Sequence, residues 1–177
     1  MDMIVVYDAE SYRMEKRLPF ADAVRPFVIL DDEKTMFVQL SRLHGFQVVD
    51  LQSGRTVRQV DLPALPAETE LPQFFPHTYD HGLEVTPDGR YLFAAGSVSN
   101  SVAVYRLPGL EPAAHIPVGR EPNWIVFDRT GRYAYVSNRM SNTVSVISVN
   151  DLKEVKQIPV GKYPQRMTTV VVPRRTK

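Results

Sequence analysis

The chain has 177 residues, with 21 basic and 20 acidic side chains and no cysteine. A formal charge of +1 excludes a dedicated nucleic-acid binder, which carries a marked basic excess, and the missing cysteines exclude disulfides, thiolate metal sites, cysteine nucleophiles and thioether-attached haem. No run approaches the roughly 18 uncharged apolar residues of a membrane span, no charged-then-apolar leader stands at Met1, and the length suits one domain with a real core.

From the N-terminus, Ile4–Asp8 and Tyr12–Leu18 read as two strands, half of the unit that repeats through the rest of the chain, so residues 1–20 form a half unit. Residues 25–62 form a whole unit, with a turn at Asp31-Asp32-Glu33-Lys34, a second strand at Met36–Val38 and a third at Phe46–Leu51. An insertion over residues 63–80 follows. Val48 to its counterpart Val104 spans 56 residues instead of 42, leaving 14 extra, and Pro63–Pro76 holds four prolines. Proline cannot donate to a ladder, so this stretch reads as a loop. Residues 81–119 and 120–161 are the two best-matched units. Gly89 recurs as Gly131, Ser99-Asn100-Ser101-Val102 as Ser141-Asn142-Thr143-Val144, and Ile116-Pro117-Val118-Gly119 as Ile158-Pro159-Val160-Gly161, all 42 residues apart. In the turn Thr86-Pro87-Asp88-Gly89, proline fixes φ at the first central position and glycine accepts φ > 0. The last unit is expected to form strands at Trp124–Phe127, Tyr133–Val136, Thr143–Val149 and Glu154–Val160, with Val144, Val146 and Ile147 facing one neighbouring sheet. Residues 162–173, centred on Gln165–Val172, match only the first strand of a further unit. No segment shows helical periodicity.

Four short antiparallel strands in each unit of about 42 residues make an all-β chain with the signature of a β-propeller blade. Gly131–Gly161 and Asp88–Gly119 resemble YVTN-type β-propeller repeats, with Tyr135-Val136-Ser137-Asn138 where that family has its Tyr-Val-Thr-Asn signature. Phe93-Ala94-Ala95-Gly96 and Phe37-Val38-Gln39-Leu40 depart from it. The wider family includes surface-layer proteins and lactonase-like propellers and resembles the propellers of cytochrome cd1 and nitrous oxide reductase. The resemblance implies a non-catalytic binding or interaction scaffold; the alternative it implies is a lactonase-like hydrolase or a metal- or cofactor-binding propeller domain. Such families are often periplasmic or secreted.

Two strands, three four-stranded blades and one last strand make fifteen, one short of four complete blades. A closed four-bladed ring would leave backbone groups unpaired beside an apolar face. About three and a half blades therefore form an open arc. Two readings stay open: the C-terminal half of a seven- or eight-bladed ring, or two copies pairing as a homodimer through their open blade edges.

Propeller ligands, whether protein or small molecule, bind at the channel mouth. Arg25, His81, Asn123 and Gln165 align with one another in the loops that lead into the first strands, and the loops between second and third strands add Arg42, His44, Asn100, Arg139 and Asn142. The ligand-binding candidates are Arg25, His81, Asn123, Gln165, Arg42 and Arg139. The bland reading is that they satisfy water and loop backbone at a solvated rim. His77-Thr78-Tyr79-Asp80-His81 is the densest cluster of chemistry. His77, Asp80 and His81 are candidate ligands of a divalent metal, against solvated histidines with Asp80 and Thr78 making turn hydrogen bonds. For a hydrolase, His81 is the candidate base and Arg139 or Arg25 the oxyanion partner. Trp124 is expected to pack between blades. The basic tail Arg174-Arg175-Thr176-Lys177 reads as solvated.

Overall fold

Successive residues of a strand point to opposite faces of its sheet, so a strand with apolar side chains at every position must be covered on both sides. Tyr91–Gly96 and the run Val102–Tyr105 within Ser101–Arg106 are of this kind, and the computed structural model buries both of their faces. The structure describes residues 2–72, 77–170 and 172. The insertion therefore has residues 73–76 outside the described residues, and the basic tail lies outside them too.

Fourteen strands form among the described residues. A two-stranded sheet pairs β1 (Met3–Tyr7) with β2 (Met14–Pro19). Three four-stranded antiparallel sheets follow in simple meander order: β3 (Val24–Ile29), β4 (Thr35–Leu40), β5 (Gly45–Asp50) and β6 (Arg55–Asp61); β7 (Leu83–Val85), β8 (Tyr91–Gly96), β9 (Ser101–Arg106) and β10 (Glu111–Pro117); β11 (Pro122–Phe127), β12 (Tyr133–Asn138), β13 (Thr143–Ser148) and β14 (Lys153–Pro159). These are propeller blades. The first strand β7 touches both β3 and β11, and the three form the hub, while β6, β10 and β14 are exposed outer edges. Charges (Arg55, Arg58, Lys153, Lys156) and prolines (Pro112, Pro117, Pro159) on those edges discourage further pairing. The open edge of β1 has no partner strand among the described residues.

The core is a stack of seams. Leu18, Met36, Val38, Leu40 and Val49 join the half blade to the β3–β6 blade. Phe37, Phe46, Leu83, Leu92, Ala94 and Tyr105 join β3–β6 to β7–β10. Phe93, Ala95, Val102, Val104, Ile125, Phe127 and Ile147 join β7–β10 to β11–β14. Alternation sends Leu92 and Ala94 to one seam and Phe93 and Ala95 to the next. Each large side chain so buried contributes about 1.5–3 kcal/mol. The same alternation corrects one sequence expectation. Ile147 joins the seam toward β7–β10 with Val149, on the face opposite Val144 and Val146.

The turns repeat as read. Gly89 and Gly131 have φ of +70° and +67°, and Glu33 holds the equivalent position at +54°. Asn100 and Asn142 take φ of +52° and +56° and accept the backbone N–H of Glu121 and Tyr163 at 2.8 and 2.9 Å. The last expected strand differs. Residues 162–170 run without ladder pairing, held by Ser137 Oγ donating to the Gln165 carbonyl (2.5 Å) and Thr169 Oγ1 donating to the Phe127 carbonyl (3.2 Å). A first strand needs a second strand to pair with, and none follows within the described residues.

Candidate functional site

The hub strands all begin with an irregularity in pairing. The register shifts between Val24 and Phe27 in β3 and between Pro122 and Trp124 in β11. Before β7, the N–H of His81 donates to the Ala95 carbonyl (3.2 Å) while the N–H of Ala95 donates to the Gly82 carbonyl (2.8 Å), so two residues oppose one. Such bulges re-aim side chains. Here they set Arg25, His81 and Asn123 at equivalent points around the hub, as their sequence alignment requires.

A cavity of about 420 Å³ opens on the hub, lined by residues that include Arg25, Phe27, His81, Glu84, Trp124 and Arg166. His81 Nδ1 lies 2.7 Å from the Asn123 carbonyl. A carbonyl only accepts, so Nδ1 carries the proton and Nε2 is left with its lone pair. Burial lowers the His81 pKa, and the charges of Arg139, Arg25 and Arg166 lower it further, against the opposing hydrogen bond to Asn123. Glu84, in contrast, is shifted upward by burial. The Trp124 ring stands 6.0 Å from the His81 ring and carries the Arg166 guanidinium 5.5 Å above it. The wall thus combines an aromatic platform, cationic groups, a neutral imidazole and a carboxyl with raised proton affinity.

Of the residues singled out from sequence, Arg25 and His81 line this cavity. Asn123 is buried and contributes its carbonyl to His81; Gln165 is exposed and contributes its carbonyl to Ser137. Arg42 is an exposed side chain tied to Asp22 at 3.2 Å. Arg139 is buried, ion-paired to Glu121, and stacked 5.2 Å over Tyr163. Its charge reaches His81 but it is not part of the cavity wall. The His77, Asp80 and His81 set is not gathered. His77 bonds Glu121 (2.9 Å), Asp80 bonds His44 (2.9 Å) and His81 bonds Asn123; the described residues hold no cluster of three metal-ligating His, Asp or Glu groups. The segment is extended rather than helical, so the three side chains diverge. Trp124 faces the cavity rather than lying only between blades.

Sequence reading missed Glu84, Arg166 and the His44–Asp80 pair. Arg166 had a signal: Pro164-Gln165-Arg166 repeats Pro122-Asn123-Trp124 at 42 residues. Glu84 had one as well, as the only acid in the inner strands where Val28 and Val126 stand in the neighbouring blades. The His44–Asp80 pair had none, because its partners lie 36 residues apart across a seam.

The profile of the family described as "Lactonase, 7-bladed beta-propeller" matches residues 41–169. Among solved structures, the chain is similar to a periplasmic gluconolactonase of Pseudomonas aeruginosa (20% identity, TM-score 0.77, 97% of this chain and 52% of that one). It is also similar to a putative 6-phosphogluconolactonase of Bacteroides fragilis (17%, 0.72, 91% and 50%). A third is hydrazine synthase of Kuenenia stuttgartiensis (24%, 0.64, 77% and 36%). The chain therefore spans about half the length of the first two. These likenesses establish the fold. No curated protein matches the sequence. No helix among the described residues is long and apolar enough to cross a membrane.

Proposed function

Because the chain belongs to the lactonase seven-bladed β-propeller family, we propose that its hub cavity binds a lactone and opens it with water, with His81 as the general base. The family match favours this hydrolase reading over the non-catalytic scaffold. The observation that carries it is the state of His81: Nδ1 is committed to the Asn123 carbonyl, and burial with the nearby arginines keeps the ring neutral, so Nε2 faces the cavity as an acceptor. In the proposed reaction water gives a proton to Nε2 as its oxygen bonds to the lactone carbonyl carbon. The ring C–O bond then breaks, and the leaving alkoxide takes a proton from Nε2–H, giving a hydroxy acid. Arg25 and Arg166 stabilise the carbonyl oxygen and the product carboxylate. Trp124 offers its face to the ring of the substrate. Glu84 lines the same cavity and holds its proton more tightly than a solvated carboxyl. The cationic wall favours lactones with a carboxylate or phosphate substituent over neutral ones.

The test is hydrolysis of a panel of neutral and anionic aldonolactones by the purified chain, followed in a pH-stat. The rate is expected to rise with pH and level off below the ordinary histidine value of 6.5, because the base must be unprotonated. His81→Ala is expected to lower kcat by about 10²–10⁴. Binding of the same lactones with no turnover, by wild type and His81→Ala alike, would return the chain to the scaffold reading.

A further inference from the structure

Gln39 is fully buried in β4, on the face turned to the β7–β10 blade. It occupies the third position of the segment Phe37-Val38-Gln39-Leu40, where the following blades have Ala95 and Ser137. Its amide crosses the seam. Oε1 accepts the N–H of Gly82 at 2.7 Å, and Nε2 donates to the Ala95 carbonyl at 3.2 Å. The bulge beside His81 leaves the Gly82 N–H without a ladder partner and the Ala95 carbonyl with a second lone pair to fill. Ala95 O already takes the His81 N–H, and the Gly82 N–H has been turned away from β8. Gly82 itself has φ of +137°, and a Cβ there would sit 3.2 Å from Ala95 Cβ. A side chain with one acceptor and one donor at fixed spacing satisfies both groups. The shorter Ser137 side chain, at the same register position in the β11–β14 blade, makes a single bond, to the Gln165 carbonyl.

We propose that Gln39 is a positioning residue for His81: its amide holds open the two-against-one bulge that turns the imidazole into the hub cavity. As a role in catalysis this rests on His81 being the base; as a statement about the conformation of residues 81–82 it does not. Without the amide, the bulge relaxes until the Gly82 N–H reaches the Ala95 carbonyl, and the His81 side chain rotates with it. Displacements of about 1 Å at a catalytic group cost up to 10²-fold in rate.

The experiment uses the four histidines of the chain as nuclear magnetic resonance probes. In the wild type His81 is expected to show a neutral ring with a slowly exchanging Nδ1–H. In Gln39→Met, similar in volume but unable to bond, that proton is expected to lose its protection, the Gly82 amide to exchange at least tenfold faster, and kcat for lactone hydrolysis to fall about 10- to 100-fold with KM little changed. Gln39→Glu supplies the control. Its neutral carboxyl can accept from Gly82 and donate to Ala95, so the His81 signature is expected to return at acidic pH and to vanish as the carboxyl ionises. A role in packing alone would leave the His81 signature intact in Gln39→Met, which keeps the volume and loses only the hydrogen bonds. A folded Gln39→Met, by circular dichroism, with an unchanged His81 resonance overturns the proposal even if His81→Ala abolishes activity. An inactive wild type whose His81 resonance follows Gln39 as described leaves the positioning intact and removes the lactonase reading. Should Gln39→Met not fold, the pH response of Gln39→Glu decides.

Discussion

The two seams flanking the β7–β10 blade have the same architecture and opposite chemistry at their hub ends. On the β11–β14 side the contact is apolar over most of its depth. Phe93 and Phe127 meet edge to face at 5.1 Å, and the bonds that cross it at the hub end run from neutral side chains to backbone carbonyls, Ser97 Oγ donating to Pro122 at 2.6 Å and His81 Nδ1 to Asn123 at 2.7 Å. On the β3–β6 side the same apolar layer gives way, toward the cavity, to Gln39 and to the buried His44–Asp80 pair. Polar groups without water are costly unless fully partnered, so their concentration at one seam tells where backbone geometry is being held for a purpose. That seam carries the segment 78–82, and with it His81.

His44 and Asp80 form a hydrogen-bonded pair at 2.9 Å. His44 Nε2 donates to the Pro63 carbonyl at 3.1 Å, and Nδ1 faces Asp80 Oδ1. Burial pushes Asp80 up to about 6, against the hydrogen bond and charge of His44. Burial alone would lower His44, but Asp80 outweighs it and the net shift is upward. Asp80 Oδ2 has no hydrogen-bond partner among the described residues. Both groups thus bind protons more tightly folded than unfolded, and their contribution to stability falls as pH rises.

The largest expected effect lies in the apolar seam. Phe93→Ala, at a site with no exposure, is expected to lose about 3–5 kcal/mol, equally at all pH values, measured by urea unfolding. The second is His44→Ala, which strands the Asp80 carboxyl in the other seam. A loss of about 3–5 kcal/mol is expected at neutral pH, shrinking as the pH falls toward about 6, because without the His44 hydrogen bond and charge that hold it down Asp80 takes up its proton above that value. A loss that ignored pH would show that packing, not charge, holds this seam. The third is Asp80→Asn, which cannot ionise. Its unfolding free energy relative to wild type is expected to improve as the pH rises from the ordinary value of 3.8 to about 6 and to level off above it, since over that range only the wild type gives up the stability of a proton held more tightly folded than unfolded. A wild type that gained stability over that range relative to the variant would reverse the assignment.

These distinctions mark what the sequence carries and what it does not. Strand faces and turns follow from local rules, so Gly89, Gly131 and even Glu33 in their place were legible, and so was the alignment of Arg25 with His81 and Asn123. The repeat also made Asn100 and Asn142 comparable, and both cap the next blade in the same way. What acts across a seam was not legible. Gln39 looked like a mere departure from a signature, although that departure is its function. The residues grouped by nearness in sequence, His77, Asp80 and His81, are separated because consecutive positions of an extended segment point to different neighbours. Arg139 was read from the sequence as a channel-mouth residue, and Glu121, 18 residues away, draws it under the surface.

The smallest effect sharpens the contrast most. Ser97→Ala removes the neutral bond of the apolar seam, a hydroxyl donating to a backbone carbonyl. Loss of one such bond costs about 1 kcal/mol. Because neither partner titrates, the difference from wild type is expected to stay flat with pH. Because Pro122 leads toward Asn123, whose carbonyl holds His81 Nδ1, the same variant asks whether that side of the imidazole is anchored by this bond. The ladder contact of Pro122 with Asn138 fixes Asn123 independently, so the His81 resonance is expected not to move. If it moves as far as in Gln39→Met, both seams position the imidazole, and the division of labour between an apolar seam that stabilises and a polar seam that aims is lost.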